Sequence, residues 1–93
     1  MEVFFNARSR KVLIRNELGL HARVAASIAK VAQLANSNVW MIKGRDKVDA
    51  ASVIDLLTLA CPKDSTVTLT IDDGSDTKIL NRIVEMIEKG FEE

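Results

Sequence analysis

Thr66-Val67-Thr68-Leu69-Thr70-Ile71 alternates polar and apolar residues without a break, the period of two that a β-strand imposes on side chains pointing to opposite faces. Val67, Leu69 and Ile71 therefore point inward, and three threonines make an outer face that water covers. A sheet of such strands needs helices on one side only. Working outward, Lys11-Val12-Leu13-Ile14-Arg15 and Val39-Trp40-Met41-Ile42 read as two further strands. Lys43-Gly44-Arg45-Asp46-Lys47 reads as a hairpin loop leading into a short strand near Val48.

Elsewhere the period is helical. From Ala22 to Ala35 the apolar residues Val24, Ile28, Val31 and Ala35 share one face, while Arg23, Ser27 and Lys30 share another, and Asn36-Ser37-Asn38 stops the helix. Ser52 to Ala60 predicts a short helix, with Ser52 and Asp55 as a weak variant of a capping box and Cys61-Pro62 as its end. After the turn at Asp72–Asp76 comes a last helix. Ile79 or Leu80, Ile83, Ile87 and Phe91 form its apolar stripe, opposite Lys78, Arg82, Glu85 and Lys89. Gly90 suits the C′ position, which leaves Glu92 and Glu93 to fray. The order β-α-β-β-α-β-α predicts an α+β open-faced β-sandwich, a four-stranded, mainly antiparallel sheet with three helices on one face.

A chain of 93 residues predicts a single domain over 1–93, with residues 1–8 as an N-terminal extension or edge segment. Lys plus Arg and Asp plus Glu number 13 each, so no net positive charge argues for nucleic acid, and four aromatic residues are too few for a base-stacking platform. The neutral total hides an asymmetry: residues 1–47 carry nine basic and three acidic side chains, and 48–93 carry four and ten. A basic field of that kind steers acidic partners, unless the two halves interleave in space. Apolar runs are too short to span a bilayer, and Met1-Glu2-Val3-Phe4-Phe5 lacks the basic start of a signal peptide, so a cytoplasmic protein is expected. The single Cys61 can form no internal disulfide and has no companion for a metal site, which leaves it as a small buried hydrophobe. No cofactor and no metal are expected.

One side chain, His21, normally changes charge near neutral pH, and it stands immediately before the first helix. There its ring adjoins the unpaired N–H groups of the first turn, with Arg23 two residues on; both favour a negative charge. A neutral imidazole nitrogen is a nucleophile, and its phosphoramidate passes the phosphoryl group on readily. A histidine in this place also has a plain structural reading, as a helix cap.

Gly19-Leu20-His21-Ala22-Arg23, followed by Ala25-Ala26, resembles the active-site signature of the histidine-containing phosphocarrier protein HPr family. The βαββαβα order, the histidine opening the first helix, and a Lys/Gly hairpin followed by a serine opening the second helix resemble the family too, over about residues 9–90. The resemblance implies a carrier of the phosphoenolpyruvate-dependent sugar phosphotransferase system, a shuttle role that a monomer suits. Such a carrier takes a phosphoryl group from enzyme I and hands it to an enzyme IIA. It implies His21 as acceptor through Nδ1, Arg23 as the group that holds the phosphoryl, and Ser52 as the regulatory serine that an HPr kinase/phosphorylase modifies. Ser52 is equally explained as a helix cap. Val53, Ile54 and Leu57 match the partner-docking patch, with Ser27 and Lys30 at its rim, although all three apolar residues suit a small core as well. Three positions depart from the family pattern: Val24 replaces a proline, Leu18 a small polar residue and Asp55 a glycine. An HPr-like regulatory paralogue acting through Ser52, and a non-catalytic interaction domain, are the alternative readings.

Overall fold

A computed structural model describes residues 8–93. The elements are β1 (Ser9–Leu13), α1 (Ala22–Ala32), β2 (Val39–Lys43), β3 (Asp46–Asp49), α2 (Val53–Thr58), β4 (Thr66–Ile71) and α3 (Thr77–Glu88). Short 3-10 turns at Gly74–Asp76 and Gly90–Glu92 flank α3. The sheet order is β1-β4-β2-β3, and all three neighbouring pairs are antiparallel. It follows that β1 runs parallel to β2 and β3 parallel to β4, each pair split by one strand. Parallel partners need a crossover, which α1 and α2 supply. The two interlocked split units put β4 between β1 and β2, so the basic and acidic halves of the sequence interleave and form no two-lobed dipole.

The alternation in β4 is realised residue by residue: Val67, Leu69 and Ile71 are buried, and Thr66, Thr68 and Thr70 are exposed or half-exposed. Register stacks Leu69 beside Met41 and Val67 beside Val12 on the inner face. Onto that face α1 lowers Val24, Ala25, Ile28, Ala29, Val31 and Ala32, whose small alanines admit close approach to the sheet. From α3 come Leu80, Ile83, Val84 and Ile87, while α2 is pinned by the buried Leu56, with Val53 partly buried beside it. Among the described residues no helix is long and apolar enough to cross a membrane.

Several boundaries differ from expectation. The first strand ends at Leu13, because Ile14 N–H donates to Ser65 and Ile14 carbonyl accepts from Asp64, both 2.8 Å and both in the loop before β4. Residues 1–7 of the expected extension lie outside the described residues; the Arg8 carbonyl accepts from Ile71 N–H at 3.0 Å and prolongs the β1–β4 ladder. The second helix stops at Thr58 with Leu59 as C-cap and Ala60 at φ 50°, so a left-handed residue ends it before Pro62 is reached. Phe91, expected on the α3 stripe, is only half-buried, since the chain leaves the helix at Gly90 with φ +61°.

The first helix ends three residues short of Ala35 for a reason remote in sequence. Asn36 and Ser37 N–H groups donate to Oδ1 and Oδ2 of Asp76, at 2.8 and 2.9 Å, and Asp76 is 2% exposed. One buried carboxylate thus fixes the α1–β2 corner to the start of α3. Asp76→Ala leaves two amide hydrogens without acceptors and should cost about 2–3 kcal/mol in chemical denaturation. A loss below about 0.5 kcal/mol would mean that water replaces the carboxylate without penalty.

Candidate functional site

The site grows from the loop joining β1 to α1. Gly19 N–H donates to the Asn16 carbonyl at 3.0 Å in a turn that sets Gly19 at φ +65°. Leu20, buried, donates its N–H to the Cys61 carbonyl at 2.8 Å, so the loop is anchored both to the core and to the α2–β4 connection. His21 is then delivered to the N-cap position of α1 with extended backbone (φ −92°, ψ 176°). Its ring makes no capping hydrogen bond. The histidine therefore does not serve as a side-chain cap.

What the ring touches is Glu93. Nε2 lies 3.2 Å from Glu93 Oε2 and 3.4 Å from Oε1. Arg23 forms an ion pair with the same carboxylate through its guanidinium. Asn16, 5% exposed, donates from Nδ2 to Glu93 Oε1 at 3.0 Å and to the Gly19 carbonyl at 2.7 Å. Glu93 reaches the site because Gly90, Phe91 and Glu92 all take left-handed φ values, at 61°, 56° and 60°, and fold the chain back across α1. Far from fraying, as expected, Glu93 closes the cluster, with its side chain 19% exposed. A carboxylate only accepts hydrogen bonds, so the neutral ring facing it carries its proton on Nε2 and has its lone pair on Nδ1.

The other expected site residues are distributed as follows. Ser27 and Lys30 are exposed on the face of α1 that carries Arg23, with Ser27 Oγ donating to the Arg23 carbonyl at 3.2 Å. Ser52 is the N-cap of α2, its Oγ accepting from Asp55 N–H at 3.2 Å. Ile54 and Leu57 face outward, at 75% and 39% exposure, whereas Val53 leans against the core. Of the three departures, Val24 is fully buried, Leu18 is exposed in the turn before the histidine, and Asp55 lies in the first turn of α2, where the helix dipole favours its charge. Burial pushes the Cys61 thiol above its ordinary range, with Lys43 opposing, so at neutral pH it is a protonated, inert group.

Asn16 and Glu93 have no period or motif to announce them. The one legible cue was Gly90, whose C′ position says that the chain turns there without saying toward what.

An antiparallel sheet with three helices, and a histidine at the N-cap of the first of them, defines an α+β open-faced sandwich. The profile of the PTS HPr component phosphorylation site matches residues 8–89, and the chain belongs to this HPr family. It is 36% identical over 85 residues to phosphocarrier protein NPr of Shewanella violacea, covering 90% of this chain and 92% of that one. With phosphocarrier protein HPr of Pseudomonas putida the identity is 35% over 86 residues, 91% and 96% of the two chains. The crystal structure of HPr from Thermoanaerobacter tengcongensis superposes with a TM-score of 0.87 at 29% identity, covering 92% of this chain and 97% of that one. Family membership brings phosphotransfer-system partners in general.

Proposed function

We propose that His21 accepts a phosphoryl group from phospho-enzyme I on Nδ1 and passes it to an enzyme IIA of the phosphoenolpyruvate-dependent sugar phosphotransferase system. The observation that carries this reading is the tethering of Nε2 to Glu93, which leaves Nδ1 as the nucleophilic nitrogen at the start of α1, with Arg23 held on the same carboxylate. In the transfer, the Nδ1 lone pair forms the N–P bond while the donor's bond to phosphorus breaks, and the proton on Nε2 stays in place. The N–H groups of the first turn of α1 and the Arg23 guanidinium offset the phosphoryl charge. Ile54 and Leu57, with Val53 partly behind them, supply an apolar docking patch on α2, and Ser27 and Lys30 its polar rim on α1.

The direct test is incubation with phosphoenolpyruvate and enzyme I, read by intact mass and by phosphorus NMR for the linkage. One phosphate on a ring nitrogen is expected. No gain by a folded chain with enzyme I from the same cell overturns the reading in favour of a regulatory role through Ser52. In that role, labelling by ATP with an HPr kinase/phosphorylase would put an acid-stable phosphate on Ser52, beside the Asp55 carboxylate, in place of the present cap.

Glu93 both orients the ring and occupies the cation that the phosphoryl group needs. An incoming phosphoryl and the carboxylate are like charges competing for Arg23. Glu93→Gln keeps a hydrogen-bonding group and removes the charge, so uptake from phospho-enzyme I should accelerate about three- to tenfold, the size expected for one charge in a half-exposed site. Timed quenches read by intact mass measure it. Slower uptake would mean that orienting the ring outweighs the competition.

A further inference from the structure

Helix α1 packs against α2 on one flank and α3 on the other, so its exposed ridge of Arg23, Ser27 and Lys30 borders two different surfaces. The α2 flank holds Ile54 and Leu57. On the α3 flank lies a groove of about 350 Å3 lined by Ser27, Lys30, Val31, Leu34, Arg82 and Met86. Its composition is one-sided. Leu34, with 64% of its surface open to water, and half-buried Met86 offer apolar surface over the buried Val31, and among the described residues no acidic side chain lines this stretch. Lys30 and Arg82 face the groove from the two helices, and among the described residues neither has a carboxylate within ion-pairing distance. Lys89, the C-cap of α3 and a neighbour of this region, is already matched by Glu85 at 2.8 Å. The groove continues, through Ser27, Arg82 and Met86, into a second hollow of about 280 Å3 that reaches Arg23.

We infer that the α1/α3 groove is a docking surface for an acidic amphipathic segment of a partner protein, distinct from the apolar α2 patch of Ile54 and Leu57 and meeting its rim at Ser27 and Lys30. The apolar side chains of the segment cover Leu34 and Met86, and its carboxylates pair with Lys30 and Arg82. Two cations without a carboxylate partner among the described residues, flanking exposed apolar surface, fit that chemistry, because covering the floor desolvates the cations and acids on the occupant offset that cost. Length agrees as well: from Ser27 to Leu34 the groove runs about 10 Å at the helical rise, the span of two turns of a docked helix, and it stops short of Glu85 and Glu92, which line the hollow toward Arg23. The inference goes beyond phosphoryl transfer, since this surface binds whether or not His21 is modified.

The test titrates the 15N-labelled chain of 93 residues with a synthetic 14-residue peptide carrying glutamates on one helical face and leucines on the other. Amide shifts are expected at Ser27, Lys30, Leu34, Arg82 and Met86, with little change at Ile54 and Leu57. Arg82→Glu and Leu34→Ser, both at exposed positions, should each weaken binding about tenfold or more while leaving circular dichroism unchanged. A peptide with lysines in place of the glutamates should not bind. Shifts centred on α2, equal affinity in Arg82→Glu, or equal binding by a glutamate peptide without leucines would each overturn the inference. So would anionic vesicles that perturb the same amides while the peptide does not. Phosphoryl uptake on His21, read on the same samples, reports separately on the carrier function.

Discussion

With phosphoenolpyruvate and enzyme I present, the His21→Ala chain should take up no phosphate, while the unaltered chain takes up one. The expectation is all-or-none because the sequence holds a single histidine, and no second imidazole can stand in as nucleophile. Loss of uptake is informative only if the fold survives, and the surroundings of His21 argue that it does. Its ring caps nothing, it lies outside the apolar core, and among the described residues its polar contacts are with Glu93. Unfolding free energy should therefore change by less than about 1 kcal/mol. The linkage adds a second readout: a phosphoramidate hydrolyses in acid, whereas a phosphate on Ser52 survives it. Undiminished, acid-labile uptake by His21→Ala would remove His21 from the chemistry and with it the carrier assignment.

Arg23→Ala separates the two halves of the site. The guanidinium touches Glu93 and is largely solvent-exposed, so its loss should slow transfer without abolishing it, in contrast to His21.

How far the sequence foretold this arrangement depended on whether the controlling contact was local. The alternation of β4, the apolar face of α1 and the GLHAR stretch are all read within one element, and each is found where the pattern put it. Local cues also gave the Ser52 cap, because an N-cap and its amide are three residues apart. The failures came from partners far along the chain. Ala22–Ala35 has helical period to its end, yet the helix stops at Ala32 because Asp76 takes the Asn36 and Ser37 amides. Cys61-Pro62 reads as a helix stop, yet Ala60 turns the chain first. Glu93 was the costliest omission. A polar tail residue beyond a C′ glycine reads as solvated, and only the three successive left-handed residues, invisible to periodicity, bring its carboxylate to His21 across 72 positions of sequence.

The same dependence on backbone makes Gly19 the position where one methyl group should damage fold and function together. At φ +65° an L-residue other than glycine costs about 1–2 kcal/mol by itself. The added Cβ would also stand 2.3 Å from the Cys61 carbonyl oxygen and 2.8 Å from Pro62 Cα, atoms of backbone that no rotamer change can move aside. Relief requires that the turn shift or that the 2.8 Å hydrogen bond from Leu20 N–H to the Cys61 carbonyl open. Gly19→Ala should thus lose about 3 kcal/mol of stability in all, lowering the melting temperature by roughly 15 °C. Because His21 N–H bonds to the Gly19 carbonyl and Asn16 holds that carbonyl against Glu93, a displaced turn moves the ring relative to Arg23. Phosphoryl uptake, measured well below the melting transition, should then fall by more than the folded fraction does. Leu18→Ala is the control one residue away: its side chain is 74% exposed, and neither stability nor uptake should change appreciably. Wild-type uptake in a destabilised Gly19→Ala chain would show that the turn anchors the fold without setting the histidine, and the site would then owe its geometry to Asn16 and Glu93 alone.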